Sequence, residues 1–246
     1  MSMNATNDPS IMIALDFQDA DQAISFVHFI DNNHTFSKPW FKVGMELYYA
    51  AGPTIIAKIK EKGFPIFLDL KLHDIPNTVK GAARSITSLG VDMFNVHCSG
   101  GSAMLEAARE GIAEATSAHS SQHSPLLIGV TQLTSTSEVV LREEIGIPLT
   151  IEEAVTHYAT LAHQHGLDGV VSSPLEVQSI KAACGPSFIT VTPGIRPASV
   201  SRGDQVRVTT PRQAKTLGTD FMVIGRAVTQ ATDPIKALED IYAEIV

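Results

Sequence analysis

Cysteine and long apolar runs are both scarce in this sequence. Its 246 residues include two cysteines, Cys98 and Cys184, without a Cys-x-x-Cys spacing, so neither a disulfide framework nor a thiolate metal site is expected. No apolar stretch approaches the length of a membrane span, and residues 1–10 lack the basic start and apolar run of a signal peptide. These features predict a cytoplasmic protein without a membrane partner.

Basic residues are also few. The 18 Lys and Arg residues are outnumbered by 26 Asp and Glu residues, for a net charge of -8. A sequence-independent grip on nucleic acid or on an anionic membrane needs clustered Lys and Arg. No nucleic-acid partner is therefore expected, and any phosphate has to be held locally.

Short apolar runs rich in Val, Ile and Phe alternate with stretches whose apolar residues recur every three or four positions. The runs predict β-strands and the stretches predict α-helices. The expected strands span residues 11–17, 40–45, 65–71, 93–98, 126–133, 169–173, 188–195 and 221–228. The expected helices span residues 20–30, 53–62, 78–89, 101–116, 150–165, 174–183, 210–217 and 234–245.

The order and composition of these elements predict the fold class. Most expected strands are nearly continuous hydrophobic runs, which is typical of parallel strands covered on both faces. Gly90, Gly166 and Gly218 each stand two residues before an Asp that precedes a strand, as expected where a helix ends and turns back into a sheet. No Gly-x-Gly-x-x-Gly follows the first strand, so a closed barrel is favoured over an open doubly wound sheet. The sequence predicts an α/β protein in which residues 1–246 form a single (β/α)8 TIM-barrel catalytic domain.

Functional side chains of such a barrel lie at the carboxyl ends of strands and in the loops that follow. Asp69 and Lys71, two positions apart on the third strand, are expected to share the inward face. They form either a structural ion pair or part of a functional cluster. Asp74 and Lys42 favour the second interpretation, because four alternating charges would then converge and a lysine flanked by carboxylates keeps its proton.

A phosphate pocket is expected at the loops after the last two strands. Residues 192–197 and the polar loop 198–205 follow the seventh strand, and Gly225 and Arg226 end the eighth. Loops in these positions often bind phosphate through backbone N–H groups, and Arg226 would add a bidentate cation. The alternative is that the glycines only permit tight turns and that Arg226 is solvated at the rim.

Other polar residues receive a structural interpretation. His157, His163 and His165 lack the spacing and the partner carboxylate of a zinc helix, so a solvated helix face and no metal site are expected. Asn95 and His97 share a strand face and can enter the site, but buried hydrogen bonding explains them equally well. Both are left outside the predicted site.

Residues 69–78, Asp-Leu-Lys-Leu-His-Asp-Ile-Pro-Asn-Thr, closely resemble the signature of the orotidine 5'-phosphate decarboxylase family. Similarity to the bacterial form of the family spans essentially the whole chain. The resemblance implies a TIM barrel that converts orotidine 5'-monophosphate to UMP without a cofactor or metal, in the last step of de novo pyrimidine nucleotide biosynthesis. The other segments that carry it are residues 14–16, 41–47, 130–135, 192–196, 204–207 and 224–226.

The resemblance also implies roles for individual residues. Lys71 is expected to be the catalytic cation that protonates C6, with Lys42, Asp69 and Asp74 completing a charged network. A homodimer is implied, in which Asp74, Ile75 and Thr78 reach the partner's site. The remaining expected contacts are Asp16 and Lys42 at the ribose, Thr134 at the pyrimidine, Gln205 between base and phosphate, and Arg196, Gly225 and Arg226 at the phosphate.

Two rival functions belong to different classes. A sugar-phosphate decarboxylase or aldolase of the same superfamily shares the Asp-x-Lys-x-x-Asp spacing but uses Mg²⁺ to stabilise an enediolate. The continuation of that motif, Ile75-Pro76-Asn77-Thr78, resembles the nucleotide enzyme instead. A non-catalytic nucleotide-binding barrel is the second rival, and the intact Lys71, Asp69 and Asp74 argue against it.

Overall fold

Eight parallel strands close into a barrel in the computed structural model, which describes residues 8–34, 36–118, 124–197 and 209–245. Each strand pairs with the next along the chain, and the last pairs with the first. The predicted (β/α)8 barrel is therefore confirmed. The strands are β1 (Ser10–Ala14), β2 (Trp40–Gly44), β3 (Ile66–Leu72), β4 (Met93–His97), β5 (Leu126–Val130), β6 (Gly169–Val171), β7 (Ile189–Thr192) and β8 (Phe221–Ile224).

Helices connect the strands and cover the outside of the barrel. A short π-helical segment, Val140–Glu144, and 3-10 turns at Cys98–Gly100 and Pro174–Glu176 interrupt the connections. The helices are α1 (Ala20–Asn33), α2 (Met45–Ala51), α3 (Thr54–Lys60), α4 (Pro76–Ser88), α5 (Ser102–Ala118), α6 (Ile151–Gln164), α7 (Val177–Cys184), α8 (Pro211–Leu217), α9 (Arg226–Thr229) and α10 (Pro234–Ile245).

The predicted carboxyl ends of several strands were wrong, and the errors fall beside the site. The strand expected at residues 221–228 ends at Ile224, and Arg226 begins α9. The strand expected at 40–45 ends at Gly44, and Met45 begins α2. An apolar run that continues from a strand into a helix has no break in its hydrophobicity, so the run alone does not mark the end of the strand. Similarly, β5 and β7 end at Val130 and Thr192, which leaves the residues beyond them in loops.

Two apolar layers hold the fold together. Inside the barrel, buried side chains such as Met12, Phe67 and Met93 pack against one another. Between the barrel and its helices lies a larger layer that includes Phe41 and Phe94, both fully buried. Phe67 thus points inward, as the predicted orientation of β3 requires. The interior is a packed core, so a site can form only at the mouth.

Three buried or half-buried aspartates form equivalent clamps at the amino ends of the even-numbered strands. Each follows a helix that ends at a glycine with positive φ, 76° at Gly90, 74° at Gly166 and 91° at Gly218. Each carboxylate accepts a hydrogen bond from a backbone N–H of the preceding strand and pairs with a cation from the helix before that strand. The clamps are Asp92 with Ile66 N and Lys60, Asp168 with Leu127 N and Arg109, and Asp220 with Thr190 N and Lys181.

The clamp at Asp92 gives a stability prediction. Asp92 is 3% exposed, and its carboxylate accepts from Ile66 N at 2.8 Å and from Lys60 Nζ at 2.9 Å. Asp92→Ala would leave a buried N–H without its acceptor, so we expect a loss of about 2–3 kcal/mol in the free energy of unfolding, measured by urea denaturation. Asp240→Ala, which removes the exposed ion pair with Lys236, is the control and should cost far less. Equal losses in the two variants would contradict the proposed clamp.

Candidate active site

A cavity of about 490 Å³ opens where the carboxyl ends of the strands meet. Its floor is apolar and includes Ala14, Phe67 and Val223. Its wall is polar and contains two-thirds of the residues that the sequence analysis assigned to the site. These are Asp16, Lys42, Asp69, Lys71, Thr134, Arg196, Gly225 and Arg226.

Carboxylates and lysines alternate along one side of this cavity. Lys42 Nζ lies 3.1 Å from Asp16 Oδ1 and 3.5 Å from Asp69 Oδ2, and Lys71 Nζ lies 2.7 Å from Asp69 Oδ1. We call these four side chains the charged chain. Asp69 stands in its middle between two ammonium groups, and its side chain is 14% exposed. Asp69 and Lys42 are therefore largely shielded from bulk water, which strengthens the charge contact between them, whereas the Asp16 side chain is 56% exposed.

Opposing effects act on the pKa of Asp69. Burial raises it, but the charges of Lys42 and Lys71, together with hydrogen bonds from Lys71 and Asn95, lower it further than burial raises it. The pKa of Asp69 ends below its ordinary value. Asp69 is consequently a carboxylate at neutral pH, although it is buried.

Lys71 has an unusual backbone. Its φ of 54° makes it the one non-glycine residue with positive φ among the residues that the structure describes. The register between β3 and β4 shifts between Leu68 and Leu72, so the regular alternation that we used to place Asp69 and Lys71 on one face is interrupted there. The two side chains still meet, with Lys71 Nζ 2.7 Å from Asp69 Oδ1.

Asn95, which the sequence analysis left out of the site, contacts both members of this pair. Its Nδ2 donates to Asp69 Oδ1 at 2.7 Å, and its Oδ1 accepts from the backbone N–H of Lys71 at 2.8 Å. The sequence signal that could have found it was its place on the neighbouring strand, two residues before His97. The strand face that Asn95 shares with His97 did not by itself distinguish a role in the site from ordinary hydrogen bonding in the barrel interior.

His97 lines a second, smaller cavity of about 200 Å³. This cavity adjoins the main one, because Gln132 and Leu133 line both. The ring of His97 is 5.3 Å from that of His73. Burial lowers the pKa of His97, the electrostatic effects of the neighbouring His73 and Lys71 lower it further, and Asp69 partly opposes them. His97 is therefore a neutral imidazole at neutral pH.

Three predicted residues after β3 do not join the charged chain of their own protomer. Asp74 Oδ1 accepts a hydrogen bond from the next backbone N–H, that of Ile75, at 2.6 Å. Ile75 is 67% exposed, and Thr78 is exposed in the first turn of α4. Four charges do converge, but the fourth is Asp16, which contacts Lys42, and not Asp74, which was expected beside Lys71. Whether Asp74, Ile75 and Thr78 serve a partner's site stays a prediction.

The expected phosphate end of the cavity is built by the segments after β7 and β8. Gly194 has a φ of 86°, and a short parallel bridge joins Ile195 to Thr209. Gly194, Arg196, Gly225 and Arg226 all line the cavity. Gly194 makes a tight turn and also lines the cavity, and Arg226 lines it while remaining exposed, so the phosphate pocket stays a prediction beside its alternative. Gln205 and the loop 198–205 lie outside the described residues.

The histidines on α6 and directly after it are only partly as expected. His157 and His163 are exposed, as predicted, whereas His165 is half-buried and lies 2.8 Å from Glu106. The described ranges contain no group of three or more His, Cys, Asp and Glu side chains arranged to hold a metal ion. Within the same ranges no helix is both long enough and apolar enough to cross a bilayer.

The fold and this cavity define a (β/α)8-barrel protein with its functional site at the carboxyl ends of the strands. Residues 9–241 match the family model described as Orotidine 5'-phosphate decarboxylase / HUMPS family. An orotidine 5'-phosphate decarboxylase of Bacillus mycoides (strain KBAB4) is 52% identical over 232 residues, which cover 94% of this chain and 95% of that protein. The chain belongs to the orotidine 5'-phosphate decarboxylase / HUMPS family, and the resemblance predicted from residues 69–78 is confirmed.

Solved structures agree with this assignment. The crystal structure of orotidine 5'-phosphate decarboxylase from Lactobacillus acidophilus has a TM-score of 0.83 at 40% identity, covering 97% of this chain and 99% of that one. The crystal structure of an uncharacterized conserved protein from Geobacillus kaustophilus has a TM-score of 0.84 at 44% identity, covering 96% and 100%. The similarity therefore extends over the whole barrel.

Proposed function

We propose that this protein is a carboxy-lyase that converts orotidine 5'-monophosphate to UMP and CO2, the last step of de novo pyrimidine nucleotide biosynthesis. The observation that carries the proposal is the charged chain of Asp16, Lys42, Asp69 and Lys71 inside the cavity. Relatives with the decarboxylase name match 94% of the chain, which supports the same activity here.

The chemistry explains why a fixed cation is needed. When the bond between C6 and the carboxylate breaks, CO2 leaves and the electron pair stays on C6, where no adjacent carbonyl absorbs it. Lys71 Nζ, held 2.7 Å from Asp69 Oδ1, is a charge already in place and requires no solvent reorganisation as the carbanion forms. Lys71 then transfers a proton from Nζ to C6, which gives UMP. No cofactor enters this scheme.

Asp69 has a second, smaller effect in this scheme. A substrate carboxylate beside the Asp69 carboxylate is repelled by it, which raises the energy of the bound substrate. The lowered pKa of Asp69 keeps its negative charge at neutral pH, so the repulsion persists under working conditions. We assign the larger part of catalysis to Lys71.

The rest of the cavity has groups suited to the other parts of the nucleotide. We assign Asp16 and Lys42 to the ribose hydroxyls and Thr134 to the pyrimidine. The guanidinium groups of Arg196 and Arg226 and the backbone at Gly225 are assigned to the phosphate, since an arginine can bind two phosphate oxygens at once. Gln205 is assigned to the contact between base and phosphate. The phosphate lies far from C6, so its binding energy is available to assist the reaction at C6.

We also propose a homodimer in which the mouths of two barrels face each other and Asp74, Ile75 and Thr78 enter the partner's site. The support lies in exposed apolar side chains around the mouth. Ile75 is 67% exposed, Leu133 45% and Ile145 48%, and large exposed apolar residues are typical of protein interfaces. Ile75 directly precedes α4, so the helix presents it in a fixed position.

The remaining proposals concern the chain as a whole. We propose that residues 1–246 form one catalytic domain, because the elements described above all belong to a single barrel. We propose a cytoplasmic location, because both cysteines, Cys98 and Cys184, are free and buried, which suits a reducing compartment.

The test of the proposed function is the loss of orotidine 5'-monophosphate absorbance with purified wild-type protein in EDTA. We expect the same rate of conversion to UMP with EDTA as without it, because Lys71 provides the cation that a metal would otherwise supply. A parallel assay tests the same protein with sugar phosphates as substrates and with added Mg²⁺. Turnover only in that assay would replace the proposal with the rival decarboxylase or aldolase. Tight UMP binding without turnover in either assay would indicate a non-catalytic nucleotide-binding barrel.

A further inference from the structure

We propose that Asn95 is a positioning residue that locks Asp69 and Lys71 into their reactive arrangement. This inference rests on the proposed function. Asn95 is 1% exposed and is not among the residues that line the cavity, so it acts on a substrate only through its neighbours. The inference assigns a role to a residue outside the site predicted from the sequence.

The amide of Asn95 closes a ring of hydrogen bonds. Lys71 N donates to Asn95 Oδ1 at 2.8 Å, Asn95 Nδ2 donates to Asp69 Oδ1 at 2.7 Å, and Lys71 Nζ donates to the same oxygen at 2.7 Å. Only one orientation of the amide works, because the reverse would place two donors against each other at Lys71 and two acceptors against each other at Asp69. The two ends of Lys71 are thus connected to each other through Asn95 and Asp69.

The backbone at Lys71 requires such support. A φ of 54° is rarely adopted by residues with a side chain. The register shift between Leu68 and Leu72 breaks the ladder between β3 and β4 at this point, and the Asn95 side chain provides the acceptor for the Lys71 N–H. Conformations of this kind persist only when their surroundings hold them in place.

The same amide fixes the carboxylate. Asp69 Oδ1 receives two hydrogen bonds, from Asn95 and Lys71, while Oδ2 faces Lys42 at 3.5 Å. Without the amide, the Asp69 side chain can rotate, and Lys71 Nζ then loses the carboxylate oxygen that holds it in place. The hydrogen bond from Asn95 also favours the charged form of Asp69, so its removal raises the pKa of Asp69.

The experiment compares Asn95→Leu and Asn95→Asp with wild type for orotidine 5'-monophosphate turnover between about pH 3 and 9, because the pKa of Asp69 lies below its ordinary value and its titration falls in the acid part of that range. We expect kcat of Asn95→Leu to fall by about 10²-fold with KM changed by less than about threefold, because misplacement affects the reacting groups and not the binding contacts. Wild-type activity needs ionised Asp69, and loss of a hydrogen bond to the carboxylate raises its pKa, so the acid limb of the kcat profile should move up by about one pH unit.

Asn95→Asp separates the two hydrogen bonds. It keeps an oxygen for the Lys71 N–H but places a second carboxylate against Asp69, and two such groups share one raised apparent pKa. We therefore expect the acid limb to move further up in Asn95→Asp than in Asn95→Leu. This variant keeps the size of the side chain and the oxygen that accepts from the Lys71 N–H, so it provides the test of the pH profile if Asn95→Leu does not fold.

The control is Thr190→Val, which removes a fully buried hydroxyl whose hydrogen bond to Asp220 Oδ2, 2.9 Å long, lies at the opposite end of the barrel. It should lower the melting temperature but leave kcat and the pH profile unchanged. An unshifted acid limb in both Asn95 variants, or an equal loss of kcat in Thr190→Val, would mean that Asn95 is only structural. Wild-type protein that fails to turn over would refute the proposed function itself, whereas active wild type with normal Asn95 variants would refute only this inference.

Discussion

Lys71→Ala is expected to lower kcat/KM for orotidine 5'-monophosphate by at least about 10⁴-fold, because it removes both a preorganised charge and the proton donor. Each of these effects alone is large, because the Lys71 side chain is only 25% exposed. The Lys71 ammonium lies 2.7 Å from Asp69, and no other described cation touches the same carboxylate oxygen. Lys42, the other cation of the charged chain, lies 3.5 Å from the second oxygen, Oδ2, so it does not occupy the position of Lys71.

The measurement is the initial rate of absorbance loss for wild type and Lys71→Ala in EDTA, with UMP affinity as a second readout. UMP binding should change much less than the rate, since the interaction with C6 develops only in the transition state. Lys236→Ala, which alters an exposed lysine of α10, is the control for a general effect of lost positive charge and should retain full activity. A Lys71→Ala protein that still turns over at a substantial fraction of the wild-type rate would refute the role assigned to Lys71.

The fold was predictable because parallel strands that are buried on both faces appear in the sequence as continuous apolar runs. All eight strands were located, and the helices expected between them are present. The ends of strands were less predictable, as β8 shows. Its apolar run continues through Gly225 into the short helix α9, and Ile224 and Val228 are both fully buried for different reasons, one in the barrel wall and one under a helix.

The site was predictable in composition but not in local geometry. Eight of the predicted residues line one cavity, because the carboxyl ends of parallel strands meet at one end of a barrel. The positive φ of Lys71 and the amide of Asn95 were not predictable. A regular strand places Asp69 and Lys71 on one face without either feature. Period-two alternation therefore predicted the contact between them correctly, but it did not predict the local backbone or the hydrogen bonds that accompany that contact.

The position of Asp74 leads to a prediction about the assembly. Asp74 does not reach the charged chain of its own protomer, and its carboxylate accepts a hydrogen bond from the backbone N–H of Ile75, the residue before α4. Helix α4 is held tightly against α5, because a Cβ at Gly111 would lie 2.3 Å from the carbonyl oxygen of Lys80. The loop that carries Asp74 and Ile75 is therefore presented outward on a rigid support. In the proposed homodimer, this loop completes the partner's site.

Asp74→Ala and Lys71→Ala should each be inactive alone, yet mixing them should restore activity. In a two-fold dimer of one chain of each kind, one site lacks both residues and the other has both intact. Equal amounts that exchange freely should therefore regain about a quarter of wild-type activity. The chains are combined by co-expression and assayed against each homodimer. Lys42→Ala mixed with Lys71→Ala is the control, because both residues belong to one protomer's charged chain and no hybrid contains an intact site. Absence of recovery in the first mixture, with hybrids shown to form, would place Asp74 outside the partner's site and would contradict the shared arrangement.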